Sequence, residues 1–237
     1  MPPTVKKKEV RKFLNQKIAQ LNDIIADIDS LLTKLEDDFF RVSIFGSARI
    51  KAHTKNYQEA YDLAFQLAMR GVDIVTGGGP GLMDAANKGA KEGGQHSRSI
   101  GLPIVLPFES DANQHLDVKR EHRRFSSRLD EFMRISHAVV VTPGGIGTIL
   151  EFFYTWQLLQ VAHITPRPII LLGGEKMWPE FIAWLRKWPL KMGLMAEEDF
   201  KHIAFCKTIQ DVIALLEPEI KRFNDTRALR EKESKNI

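Results

Sequence analysis

Ala138-Val139-Val140-Val141-Thr142-Pro143-Gly144-Gly145-Ile146-Gly147-Thr148-Ile149-Leu150-Glu151 is the stretch on which the reading of this chain turns. Its first four residues are an unbroken apolar run, the mark of a strand covered on both faces, and the proline and glycines that follow end it abruptly. A strand hidden on both faces needs helices above and below, so the stretch points to a parallel sheet wound with helices.

The same alternation extends in both directions. Arg41 to Phe45 reads as a β-rich run ending at Gly46-Ser47, Tyr57 to Met69 as a helix with Gly71 at its C-cap, and Val72 to Thr76 as a strand. Gly77-Gly78-Gly79-Pro80-Gly81 then leads into a helical stretch from Leu82 to Glu92. Ile100 to Leu106 gives a third strand, His122 to Ile135 a helix, Ala138 to Thr142 a fourth strand and Ile169 to Leu172 a fifth. A smaller strand at Ile203 to Phe205 and a helix from Thr208 to Leu216 complete the series. The expected fold class is α/β, a doubly wound parallel sheet over residues 39–217, with a polar tail or helix in 218–237.

Before the sheet, Leu14, Ile18, Leu21, Ile25, Ile28, Leu32 and Leu35 recur in alternating steps of four and three, with Ile24 and Leu31 on one shoulder. That is a coiled-coil seam on one long helix within residues 1–38. It lies on the chain's own domain or pairs with a second subunit.

The chain holds 237 residues, 43% of them hydrophobic and 27% charged, which excludes wholesale disorder and suits one large domain with extensions. Its net charge is +4, yet residues 1–12 contribute +4 and residues 218–237 contribute +2, leaving the body slightly acidic. The basic pI of about 9.1 therefore describes the ends, and no nucleic-acid partner is expected. A lone cysteine, Cys206, suits a reducing compartment. No apolar stretch approaches the ~20 residues of a membrane span, so a cytoplasmic protein without a membrane partner is expected.

Three glycine-bearing loops stand where strands give way to helices: Gly46-Ser47-Ala48-Arg49, Gly77 to Gly81, and Pro143 to Thr148. In an open α/β sheet that rim is where ligands bind. Glycines let backbone N–H groups touch a ligand, and helix N-termini favour anions, so a phosphorylated small molecule is the expected ligand. Neither a GxGxxG fingerprint nor a P-loop is present. Thr148 and Glu151 carry two readings. Thr-x-x-Glu spells a capping box; alternatively Glu151, one turn into the helix, presents to the ligand a carboxylate kept ionised by the helix dipole, suited to a base or a cation-stabilising role. Arg124 and Arg128 share a helix face with Phe132, either as a solvated stripe or as a fork on phosphate or on Glu151.

Phe45-Gly46-Ser47-Ala48-Arg49, Gly77 to Met83, Arg128 and Pro143 to Glu151, in that order, resemble the Lonely Guy family of nucleoside-monophosphate phosphoribohydrolases, whose members have often been mislabelled lysine decarboxylases. The likeness runs from about Arg41 to Gly174. It implies a Rossmann-like homodimer or higher homo-oligomer that splits a purine nucleoside 5′-monophosphate, AMP or an N6-modified AMP, into base and ribose 5-phosphate, a cytokinin-forming reaction. Glu151 and Arg128 would be the catalytic pair, and the glycines of 143–148 would hold the 5′-phosphate. Candidate substrate-binding residues are Gly46, Ser47, Gly78, Gly79, Gly81, Met83, Gly144, Gly145, Gly147 and Thr148. No cofactor and no metal are expected. Where the family usually has lysine after the arginine, and often an acid before the glutamate, this chain has Leu129 and Leu150. The rival function is a non-catalytic binder of a phosphorylated ligand, such as a molybdenum-cofactor carrier. Decarboxylation would need a Schiff-base lysine, and none lies in 143–151 or beside Arg128.

Overall fold

A computed structural model describes residues 7–36, 38–105 and 112–234. The chain divides into two units, residues 1–38 and 39–237. In the first, α1 spans Lys7–Glu36, and Leu14, Ile18, Leu21, Ile24, Ile25 and Ile28 are each at least half exposed on it.

The second unit is built on β1 (Arg41–Phe45), β2 (Asp73–Thr76), β3 (Ser99–Gly101), β4 (Val118–Lys119), β5 (Ala138–Val141), β6 (Ile169–Leu172) and β7 (Ile203–Cys206). All pair in parallel, in the order β4-β3-β2-β1-β5-β6-β7. The chain winds outward from β1 to one edge, returns to β5 on the other side of β1, and winds outward again. The sheet is Rossmann-like, with its switch point between β1 and β5.

Alternate residues of the central strands feed two cores. Val42, Ile44, Ile74, Val140 and Ile170 pack with Leu63 and Leu67 of α2 (Lys55–Ala68) and with Val212 and Leu216 of α7 (Ile209–Ser234). Phe45, Val75, Val139, Val141 and Ile169 pack with Phe132 of α4 (Phe125–Ile135), Phe152 and Trp156 of α5 (Ile146–Gln160) and Trp178 of α6 (Met177–Leu185). Burial of both faces is what the apolar run at 138–141 requires. Between strand and helix, α3 (Leu82–Gly93) lies close enough to α2 that a Cβ on Gly93 would come within 2.9 Å of Phe65 Cα.

Several boundaries depart from the sequence reading. The third strand is cut to Ser99–Gly101 because Pro103 has no N–H to donate; Ile104 makes only an isolated bridge to His122, and position 106 lies outside the described residues. The two-residue β4 is too short and too polar to signal itself. The helix expected from His122 starts at Phe125, because His122 donates its backbone N–H to Pro103 and Arg124 is extended (φ −132°, ψ 136°). Arg124 therefore caps α4 and does not share a helix face with Arg128. At the other end α7 continues through Pro218 to Ser234, started by a reciprocal pair: Asp211 N–H donates to the Thr208 hydroxyl, and Thr208 N–H to the Asp211 carboxylate. His137 is packed, its Nδ1 accepting from Arg41 N–H at 2.9 Å and its ring stacked on Phe40.

A fully buried carboxylate holds the β1–β2–β3 side of the sheet. Asp73 accepts from the Arg98 backbone and from its Nε and Nη2, at 2.8, 3.1 and 2.8 Å, and lies 3.5 Å from the buried Arg41 Nε. Removing one member of such a group leaves a buried charge uncompensated. Asp73→Ala should lower unfolding stability by about 3–5 kcal/mol in urea titration; a loss under about 1 kcal/mol would show that Asp73 is dispensable.

Candidate active site

Three loops meet at the switch point because backbone hydrogen bonds tie them together. Ser47 N–H donates to the Pro143 carbonyl at 3.1 Å, and Leu82 N–H donates to the Ser47 carbonyl at 3.0 Å. The loops after β1, β2 and β5 are thus one surface. Close packing accounts for part of their glycine content. A Cβ on Gly46 would overlap the Thr142 hydroxyl, and one on Gly144 the Thr148 side chain. Gly81, at φ +71°, starts α3 where a Cβ would come within 2.8 Å of Ala48 O.

Gly145 and Gly147 differ. Among the described residues, a Cβ on either would meet nothing within 4 Å, so no contact of theirs requires glycine there. Gly145 is the N-cap of α5, and no side chain among the described residues caps that terminus. Uncapped N–H groups at a helix start, with room in front of them, make an anion site.

The helix begins at Ile146 with Gly145 as its N-cap, so Thr148 lies inside the first turn, is not the cap, and the expected capping box is absent. Glu151 instead reaches across to α4. Its Oε1 accepts from Arg128 Nη2 at 3.0 Å, and both side chains are nearly buried. Arg128 is held on two further sides: Nε donates to the Leu102 carbonyl at 2.8 Å, and the guanidinium lies over the Phe132 ring at 5.3 Å. A Cβ on Gly77 would overlap the guanidinium and come within 2.8 Å of Met83 Sδ. Gly77, Met83, Arg128 and Glu151 therefore form one cluster.

Burial pushes the Glu151 carboxyl up from its ordinary 4.5 to about 7, and the Arg128 charge pulls it only part of the way back. The expectation of a carboxylate kept ionised by the helix dipole is corrected: Glu151 lies six residues beyond the N-cap Gly145, past the first turn where the dipole acts, and loss of water dominates. Raised in the folded state, the group binds a proton that the unfolded chain releases near 4.5, so stability falls as pH rises from there to about 7.

The other anticipated residues have more mixed placements. Ser47 Oγ accepts from Arg49 N–H at 3.1 Å and so shapes its own turn. Gly78 N–H is already donated to the Thr76 hydroxyl, which removes it as a free donor, and its carbonyl accepts from Asn113 N–H. Gly79 accepts from Asn113 Nδ2, and its Cβ would meet Met83. Behind this loop, buried Asn87 accepts from Thr76 and Asn113 and donates to Ser99. Neither asparagine carries a motif signal, whereas Gly77 stands first in the triple glycine.

Against known proteins, a family model described as "Possible lysine decarboxylase" matches residues 83–216. The chain belongs to the Lonely Guy family. It is 29% identical to a probable cytokinin riboside 5′-monophosphate phosphoribohydrolase of Oryza sativa subsp. japonica, over 81% of this chain and 77% of that protein. Identity reaches 34% with a pyrimidine/purine nucleotide 5′-monophosphate nucleosidase of Escherichia coli K12, over 51% of this chain but 28% of that protein. Relatives with these names support a nucleotide-hydrolysing enzyme. The molybdenum cofactor binding protein of Rippkaea orientalis shares the fold at TM-score 0.57 and 20% identity, over 77% of this chain and 98% of that one. The carrier of Chlamydomonas reinhardtii gives 0.53 and 23%, over 76% and 97%.

Set beside the family pattern, Leu129 is buried in this chain whereas Leu150 is exposed, so only the second departure alters the surface. Carbon-13 NMR titration of the Glu151 carboxyl should give a midpoint near 7, and Arg128→Met should move it higher; a midpoint near 4.5 would contradict the burial assigned to it.

Proposed function

We propose that this protein hydrolyses the N-glycosidic bond of a purine nucleoside 5′-monophosphate, AMP or an N6-modified AMP of the cytokinin type, releasing base and ribose 5-phosphate. The observation that carries the reading is Glu151, a carboxyl of raised pKa nearly buried beside Arg128, six residues beyond Gly145, the N-cap of α5 at the switch point. A pKa near the working pH suits a general base. The names of the relatives supply the substrate class.

In this reading the 5′-phosphate meets the N–H groups at the start of α5, with Gly145 and Gly147 leaving it room. The ribose then lies along the first turn, toward Glu151. Cleavage passes through an oxocarbenium-like state, in which positive charge grows on the sugar. Ionised Glu151 stabilises that charge and takes a proton from water as the water oxygen bonds to C1′. The C1′–N bond breaks with its electron pair leaving on the base, which is protonated from solvent. Arg128 positions the carboxylate and keeps part of its population ionised. The proposal extends to a cytoplasmic homo-oligomer.

The fold likeness to molybdenum-cofactor carriers favours a second reading, binding without turnover, and one assay separates the two. Incubation with AMP and N6-substituted AMP should release base and ribose 5-phosphate, and Glu151→Gln should slow release by roughly 10²- to 10⁴-fold with nucleotide affinity nearly unchanged. Tight binding with no base released by the wild type would favour the carrier. With the ionised carboxylate active, kcat/KM should fall tenfold per pH unit below about 7; the same limb in Glu151→Gln would assign it to another group. Gly147→Ala adds a methyl that meets no atom of the described residues within 4 Å, so it should raise KM with the melting temperature unchanged or slightly higher. An unaltered KM would remove α5 from the phosphate site.

A further inference from the structure

We propose that α1 pairs with α1 of a second copy of this chain, antiparallel, about a twofold axis near Asp23. The inference stands apart from the proposed chemistry and rests on three observations.

The first is the exposed stripe. Leu14, Ile18, Leu21, Ile25 and Ile28 follow the seam spacing, and all are at least half exposed on a helix of 30 residues. An isolated helix of this length gains little from its backbone alone, and a heptad stripe is stabilised when another helix covers it.

The second is that the seam is complementary to itself. Run two copies in opposite directions about Asp23, and Leu21 meets position 25, Ile18 meets position 28 and Leu14 meets position 32 of the other copy. Each layer joins an a position to a d position, and each contact occurs twice, as a twofold interface demands. Ile24 on the shoulder then lies next to its own copy.

Charge fixes the direction. Residues 7–21 carry Lys7, Lys8, Arg11, Lys12 and Lys17 against Glu9, while residues 22–36 carry Asp23, Asp27, Asp29 and Glu36 against Lys34. A parallel pair would set basic half on basic half and acidic on acidic. The antiparallel pair sets each basic half against an acidic one, which favours this arrangement and opposes the other.

Sedimentation velocity of the full chain tests this. The wild type should sediment as an even multiple of 27.0 kDa, and Ile18→Asp with Ile25→Asp should halve the mass, weakening association by at least about 1,000-fold. Lys8→Glu, Arg11→Glu, Lys12→Glu and Lys17→Glu together should also halve it, by setting acidic halves against each other. Adding Asp23→Lys, Asp27→Lys, Asp29→Lys and Glu36→Lys should restore the full mass, which a helix that had merely unfolded would not do. A wild-type mass of 27.0 kDa, a mass untouched by the isoleucine changes or by the basic-half inversion, or no restoration in the combined variant overturns the proposal.

Discussion

A carboxylate taken out of water needs a cation beside it, and the rim of this sheet is organised around that requirement. Glu151 on α5 meets Arg128 on α4, and Arg128 is anchored in turn by the Leu102 carbonyl and the Phe132 ring. Gly77 completes the enclosure, because any side chain there would displace the guanidinium. One ion pair thus joins the loop after β2, the chain beyond β3 and the two helices that flank β5. Its imbalance matters as much as its existence: the single guanidinium does not fully offset burial, and the carboxyl is left near 7, where it can exchange a proton at neutral pH.

The glycines around this pair divide by what stands in front of them. Gly46, Gly77, Gly81 and Gly144 are glycine because protein atoms press on them, and they let three loops close into one surface. At Gly145 and Gly147, around the start of α5, a Cβ would meet no atom of the described residues within 4 Å, so packing does not account for these two glycines. Close packing thus accounts for some of these glycines and not for others. The same separation explains Gly78, whose N–H is already taken by Thr76 and whose part lies in shaping the loop.

Much of the architecture was legible because burial on both faces leaves a mark in the sequence. Ala138 to Val141 and Ile169 to Leu172 are continuous apolar runs, and each is a strand. Where the run is broken the reading slipped: Pro103 shortened β3, and Val118–Lys119 is too short to show a period. Arg128 and Glu151 were picked out by motif, yet their contact spans 23 residues, and spacing within one helix cannot display it. The capping box failed for a related reason. Thr-x-x-Glu fits a helix start wherever it occurs, but Gly145 had already started this helix, whereas Thr208 and Asp211 do cap theirs. The pKa of Glu151 depends on how much water the fold excludes, which no local pattern records.

The central claim is that one nucleotide spans the distance from the start of α5 to Glu151. A crystal structure of the Glu151→Gln protein with AMP bound measures this directly. The account predicts phosphate oxygens within hydrogen-bonding distance of backbone N–H groups between Gly145 and Thr148, with the ribose C1′ facing the residue 151 side chain. A phosphate held elsewhere, or a ribose turned away from that side chain, would contradict it.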